Sequence, residues 1–170
     1  LAYLRDHRIG DVTLLPAACF FELALAAARL TLGDAQDAVE DATIEAPLTV
    51  PEAGVLLQSV VMPADGEGRR GLRVSSQARP GADWTLHFTA RLGGSAAARE
   101  LADLAALQVR CGEEVSLADF YRDDARSLRY GPSFQGLSRL WRGEAECLAW
   151  VQLTETVRRR PYSVVLLDEV

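Results

Sequence analysis

The longest apolar pattern in the chain runs from Pro16 to Leu32, PAACFFELALAAARLTL. Helix formers dominate it and no breaker interrupts it, so it predicts a helix. Pro16 suits the first turn, where its missing N–H would have found no intrahelical partner. Gly33 suits the position just past the end. Apolar residues cover most of the circumference, which predicts burial on nearly all sides. After Gly33 the hydrophobic period changes to two. Residues 41–50 form a first candidate strand, with Pro47 demoting its end to an edge or bulge. Residues 55–62 form a second. In the third, 71–79, Leu72, Val74, Ser76 and Ala78 share one face, while Arg73, Ser75, Gln77 and Arg79 share the other. The fourth, 84–92, is the clearest. Trp84, Leu86, Phe88, Ala90 and Leu92 alternate with Thr85, His87, Thr89 and Arg91, as in a half-buried antiparallel strand. Segments 64–69 (ADGEGR) and 80–83 (PGAD) have hairpin-turn chemistry.

One apolar helix followed by four antiparallel strands fits a curved sheet wrapped around a central helix. This is an α+β hot-dog fold, expected over residues 1–93. Residues 94–115 open on Gly-Ser-Ala-Ala-Ala and are expected as a linker, in which 99–109 forms a short helix or an extended segment. Ser116-Leu-Ala-Asp119 is a capping box opening a helix to about Arg126. Tyr130 to Gly136 (YGPSFQG) is turn-rich. Strands are expected at 137–142 and 147–154, joined by a turn at Gly143-Glu144. A short apolar run, Val164 to Leu167, ends in Asp168. Residues 116–170 are therefore expected to be part of a second hot-dog.

Composition narrows the function. The net charge of −6 argues against a nucleic-acid partner and against a polybasic membrane anchor. No apolar run approaches the ~20 residues that span a bilayer, and without a basic, apolar, small-residue pattern in its first residues no signal peptide is expected. Three widely separated cysteines, Cys19, Cys111 and Cys147, fit neither a disulfide framework nor a zinc knuckle. Cys19 and Cys147 sit among apolar residues and read as reduced core thiols. A cytoplasmic protein is expected. All 18 basic residues are Arg, which excludes Schiff-base and P-loop chemistry that depends on Lys. His87 falls on the polar face of its strand and is expected to face solvent. Glu113-Glu114 and Arg158-Arg159-Arg160 read as solvated loops. Trp84, Trp141 and Trp150 lie on strand patterns and read as core or sheet-packing residues.

His7 is the candidate for chemistry. It lies nine residues before the helix-starting Pro16. A helix N-terminus offers unpaired N–H groups and partial positive charge. A base beside such donors suits removal of a proton next to a carbonyl, because the donors stabilise the enolate.

These residues resemble the dehydratase domains of modular polyketide synthases. That family has His-x-x-x-Gly-x-x-x-x-Pro at its N-terminus. His7 and Pro16 keep the spacing, while Asp11 stands at the glycine position and Gly10 lies one residue early. The second motif, Tyr-Gly-Pro-x-Phe-x-Gly, is matched by Tyr130, Gly131, Pro132, Phe134 and Gly136. Of the third, His-Pro-x-Leu-Leu-Asp, the chain keeps Leu166, Leu167 and Asp168, and has Ser163 and Val164 in place of His-Pro.

The resemblance implies a double hot-dog with one active site between its halves. His7 would take the α-proton of a β-hydroxyacyl thioester, and Asp168 would protonate the departing β-hydroxyl. Tyr130, with Pro132 and Phe134 of its motif, would bind substrate. The N–H groups near Gly10 and at the start of the Pro16 helix would polarise the thioester carbonyl. Elimination of water needs no metal and no bound cofactor. The substrate would arrive on the phosphopantetheine arm of an acyl carrier protein, within a synthase expected to be a homodimer. The chain reads as a fragment of such a domain, expected to be marginally stable, aggregation-prone and weakly active or inactive alone. A non-catalytic hot-dog for architecture or carrier-protein docking, and a related double hot-dog cyclase or isomerase, are the alternatives.

Overall fold

The computed structural model describes residues 2–33, 38–93, 102–122 and 127–155. In chain order they form strands β1 (His7–Ile9) and β2 (Val12–Thr13), helix α1 (Ala17–Leu32), and strands β3 (Val39–Ile44), β4 (Leu56–Ala64), β5 (Arg70–Gln77) and β6 (Trp84–Leu92). Helix α2 (Leu104–Arg110), strand β7 (Glu113–Glu114), helix α3 (Leu117–Arg122) and strands β8 (Leu128–Tyr130), β9 (Leu137–Arg142) and β10 (Cys147–Val151) follow. Short 3₁₀ turns occupy Ala2–Asp6 and Pro132–Phe134. The chain divides into two units. One comprises the described parts of Leu1–Asp11 and Arg99–Ser163, the other the described part of Val12–Ala98.

In the second of these units the helix signals act as their chemistry predicts. Pro16 is the extended N-cap of α1, and Gly33, at φ +82°, closes its end with an N–H donated to the Arg29 carbonyl. The helix lies against an antiparallel sheet of order β3-β6-β5-β4. Its Phe20, Ala24 and Ala28, spaced i, i+4, i+8, form the buried stripe. They meet Leu72 and Val74 of β5 and Phe88, Ala90 and Leu92 of β6, with Leu48 completing the cluster. The Phe20 and Phe88 rings stack 5.3 Å apart. Burying each such side chain stabilises the fold by roughly 1.5–3 kcal/mol.

Burial of α1 is one-sided, not all-round: Leu30 is 88% exposed and Phe21 is exposed as well. One sheet covers one face of a helix, and the alanines of α1 let it sit close without enclosing it. The turn at 64–69 forms as expected. Asp65 accepts the N–H groups of Glu67 and Arg69 and reaches across to Arg91 at 2.7 Å. The first strand is shorter than its pattern and stops at Ile44. Segment 45–50 instead pairs beside Thr13–Leu15, through Leu15 N–H to the Leu48 carbonyl and Val50 N–H to the Thr13 carbonyl, both 2.8 Å.

In the unit holding His7, β9 is the centre of a three-stranded antiparallel sheet, β10-β9-β7. Glu113 and Glu114, expected in a loop, form β7 opposite Arg142 and Trp141. Ion pairs favour this register. Glu113 takes two hydrogen bonds from Arg142, and Glu114 two from Arg139, whose guanidinium also stacks 4.4 Å above the Trp141 ring. The short helix allowed within 99–109 is α2, capped by Asp103, whose carboxylate accepts the N–H groups of Ala105 and Ala106. Two expectations about side chains are corrected. Cys147 is exposed, on an edge strand, and the buried thiol is Cys111, with its pKa pushed up by burial. Trp84 and Trp150 are exposed. Among the described residues no helix is long and apolar enough to cross a membrane.

Candidate active site

Antiparallel pairing of β1 with β8 sets His7 directly opposite Tyr130. The two residues are 123 positions apart in sequence, and backbone register alone makes them neighbours. His7 is 4% exposed. Its ring centroid lies 5.8 Å from that of Tyr130 and 5.2 Å from that of Phe134. Phe134 is backed by Tyr3 at 6.2 Å, and Tyr130 by Tyr121 at 6.4 Å. The imidazole therefore sits among aromatic faces and edges, in surroundings that exclude bulk water.

The turn after Tyr130 brings Phe134 onto this ring. Pro132 fixes the backbone at the start of the 3₁₀ turn, and Phe134 N–H closes it on the Gly131 carbonyl at 2.9 Å. The turn is anchored to the residue before the histidine. The Asp6 carbonyl accepts the N–H of Gly131 at 2.6 Å, and the Asp6 carboxylate accepts that of Ser133 at 2.9 Å. A Cβ on Gly131 would lie 2.6–2.7 Å from three Asp6 side-chain atoms, so only glycine fits here. Tyr121 holds the far end of the segment. Its hydroxyl accepts the N–H of Leu137 at 3.1 Å, and burial pushes the phenol's pKa up.

Gly10 takes up φ +56° in the turn after β1, a conformation that disfavours other residues. Asp11, at the family's glycine position, is not among the residues with positive φ. The early glycine thus supplies the left-handed residue of this turn, and Asp11 is fully exposed beside Arg8.

Of the residues singled out in sequence, His7, Gly10, Tyr130, Pro132 and Phe134 belong to one unit, and His7, Tyr130 and Phe134 are in ring contact. Pro16 is buried at the head of α1 in the other unit. Asp168 lies outside the described residues, as do Leu166 and Leu167. Asp6, Tyr3 and Tyr121 were missed. The signal for Asp6 is the glycine of Tyr-Gly-Pro, a position that demands a close neighbour.

Comparison with known proteins gives the family. The family model described as polyketide synthase dehydratase domain matches residues 1–77, and that described as polyketide synthase dehydratase N-terminal domain matches residues 99–167. The phenolphthiocerol synthesis polyketide synthase type I Pks15/1 of Mycobacterium marinum is 40% identical over 151 residues, covering 88% of this chain and 7% of that protein. The dehydratase domain from the CurK module of curacin polyketide synthase superposes with a TM-score of 0.82 at 28% identity, covering 92% of this chain and 55% of that one. Two further structures of the CurK dehydratase are of inactive mutants, one with a histidine replaced by phenylalanine, the other with an aspartate replaced by asparagine. The dehydratase domain from the terminal module of the rifamycin polyketide synthase gives a TM-score of 0.78 at 30% identity, covering 92% of this chain and 58% of that one. The chain belongs to the polyketide synthase dehydratase domains. It spans just over half the length of the solved dehydratase domains it matches and a small part of the synthases.

Proposed function

We propose that this chain supplies the base, and part of the substrate site, of a dehydratase that eliminates water from a β-hydroxyacyl thioester on an acyl carrier protein. The buried His7 ring against Tyr130 and Phe134 is the observation that supports this reading best. An imidazole nitrogen of His7 takes the α-proton, and the C–H electron pair becomes the α,β double bond. The β C–O bond breaks, and the hydroxyl leaves as water with a proton from Asp168. The product is the α,β-enoyl thioester. His7 then returns its proton, and Asp168 regains one, by exchange with solvent.

The two groups need different surroundings. The acid remains protonated near neutral pH when an apolar site raises its pKa, while the base must be neutral. Tyr130 binds the β-hydroxyl, with Pro132 and Phe134 shaping the wall. The N–H groups near Gly10 polarise the thioester carbonyl. The loss of activity in CurK on replacing one histidine or one aspartate supports a pair of this kind. The reaction needs no metal or bound cofactor, because phosphopantetheine arrives with the substrate. The setting is a cytoplasmic, homodimeric synthase with neighbouring domains on the same chain.

Mass spectrometry of a β-hydroxyacyl carrier-protein thioester incubated with the full-length domain tests the proposal. Loss of one water, abolished in His7→Ala and Asp168→Asn, is expected. An intact thioester across several chain lengths would refute it. Water loss that survives Asp168→Asn would keep His7 as base and remove Asp168 as acid.

A further inference from the structure

The geometry points to Asp6 as a positioning residue, which holds the Tyr130–Phe134 turn against the His7 imidazole and so fixes the orientation of the base. This inference rests on the dehydratase reading for its kinetic consequence, though not for its structural one. Asp6 and Ser133 are 127 positions apart, and the contact is a backbone N–H to a carboxylate oxygen at 2.9 Å. Two residues earlier, the Asp6 main-chain carbonyl takes the Gly131 N–H at 2.6 Å. The residue between them, Pro132, has no N–H to satisfy. One residue thus accepts both donors of the Gly-Pro-Ser segment, one through its main chain and one through its side chain. Hydrogen bonds to an ionised acceptor are the stronger kind.

The consequence for the base follows from adjacency. Asp6 directly precedes His7, so the clamp fixes the backbone from which the imidazole extends. The same clamp fixes the turn that delivers Phe134 to 5.2 Å from that imidazole. Both walls of the cage, the β8 residue Tyr130 and the turn residue Phe134, are therefore referred to one point. The glycine of the Tyr-Gly-Pro motif has the same cause. Its Cα approaches the Asp6 side chain so closely that any Cβ would overlap it. Asp6 itself is one residue removed from the reacting groups and acts through His7.

The chain contains two histidines, His7 and His87, which allows a direct readout. Ring currents from Tyr130 and Phe134 displace the His7 imidazole resonances from those of a free ring, and His87 serves as an internal control. In ¹³C-histidine-labelled chain, Asp6→Ala is expected to move the His7 ring resonances toward free-imidazole positions and leave those of His87 unchanged. Asp6→Asn keeps an oxygen for the Ser133 N–H and is expected to keep the His7 positions. In the full-length domain, Asp6→Ala is expected to lower kcat tenfold or more with KM within twofold, and Asp6→Asn to restore most of kcat. Unmoved His7 resonances in a folded Asp6→Ala protein would overturn the inference. Should Asp6→Ala fail to fold, Asp6→Asn decides: displaced His7 resonances there would equally overturn it, and retained ones uphold it. Should the wild-type domain eliminate no water, the dehydratase reading falls, and the resonances alone decide whether Asp6 positions His7.

Discussion

The imidazole of His87 and the hydroxyl of Ser76 meet 2.8 Å apart inside the sheet that supports α1. Both are buried. The other ring nitrogen, Nδ1, lies 3.1 Å from the Ala46 carbonyl oxygen. A carbonyl only accepts, so Nδ1 carries hydrogen, and in the neutral ring the Ser76 hydroxyl donates to Nε2. Each partner satisfies the other, and together they tie segment 45–50 to the sheet. Removing one leaves the other buried without its bond, at a cost of about 1–3 kcal/mol. His87→Leu and Ser76→Ala are each expected to lower the unfolding free energy measured by urea titration by that much. The double variant should cost less than the sum of the two. Strict additivity would show that the bond contributes nothing to stability.

That pair also marks where sequence pattern stops being a guide. The ends of β6 and of β9 follow directly from their hydrophobic and turn signals. So does α1, because Pro16 and Gly33 are local signals. For His87, by contrast, strict alternation predicts the solvent face, and the residue is buried. In the β5–β6 pair Val74 faces Phe88, and Ser75 faces Leu86, so His87 is the extra residue of a bulge and turns inward. Nothing local announces a bulge. The strand Glu113–Glu114 was likewise illegible, because its partners Arg139 and Arg142 lie some 25–29 positions away. Within the site, His7 and the Tyr-Gly-Pro turn were legible as motifs. Their meeting depends on the β1–β8 register, and Asp6 became visible only through it.

Ser133 offers a contrast with Ser76. Its hydroxyl is buried with no hydrogen-bond partner among the described residues, while its N–H is held by Asp6. The side-chain oxygen therefore carries a desolvation penalty without a return. Ser133→Ala is expected to be neutral or to stabilise by up to ~1 kcal/mol, against the loss expected for Ser76→Ala. Thermal unfolding of the two variants side by side checks this. Comparable destabilisation by both would mean that the Ser133 hydroxyl is satisfied after all.

Acid should weaken the β10-β9-β7 sheet in a defined way. Hydrogen bonds from Arg142, Arg139 and Arg110 hold the carboxyls of Glu113, Glu114 and Glu146 below the usual glutamate range. A carboxylate whose folded pKa is depressed contributes stability above its unfolded value, ~4.3, and loses it as pH falls through the folded one. The melting temperature should hardly change between about pH 7 and 5 on this account and should fall below about pH 4.3. Replacing all three glutamates by Gln should flatten that acid limb, and high salt should reduce it, because the pairs are exposed. An acid limb unchanged in the triple variant would assign acid sensitivity to other groups.

The two glycines that flank Phe134, Gly131 and Gly136, should respond differently to the same substitution. A Cβ on Gly131 meets the Asp6 side chain at 2.6–2.7 Å, and a Cβ on Gly136 meets the Gln152 carbonyl oxygen at 2.8 Å. Either contact must be relieved by a backbone shift, at a cost of typically 1–3 kcal/mol. The shift at Gly136 falls on its pairing with Gln152, where the Gln152 N–H donates to the Gly136 carbonyl at 2.7 Å. Gly136 stands at the end of the segment opposite to Gly131, and its pairing does not involve Asp6. The shift at Gly131 displaces Asp6, and with it the backbone that carries His7. Both alanine variants should therefore melt earlier by similar amounts. At a temperature where both are fully folded, Gly136→Ala should keep kcat within about threefold of wild type, whereas Gly131→Ala should lose tenfold or more, a difference of ~1.4 kcal/mol in the barrier for each factor of ten. Equal losses of kcat in the two variants would mean that the turn acts through stability alone and that its contact with Asp6 has no separate bearing on the base.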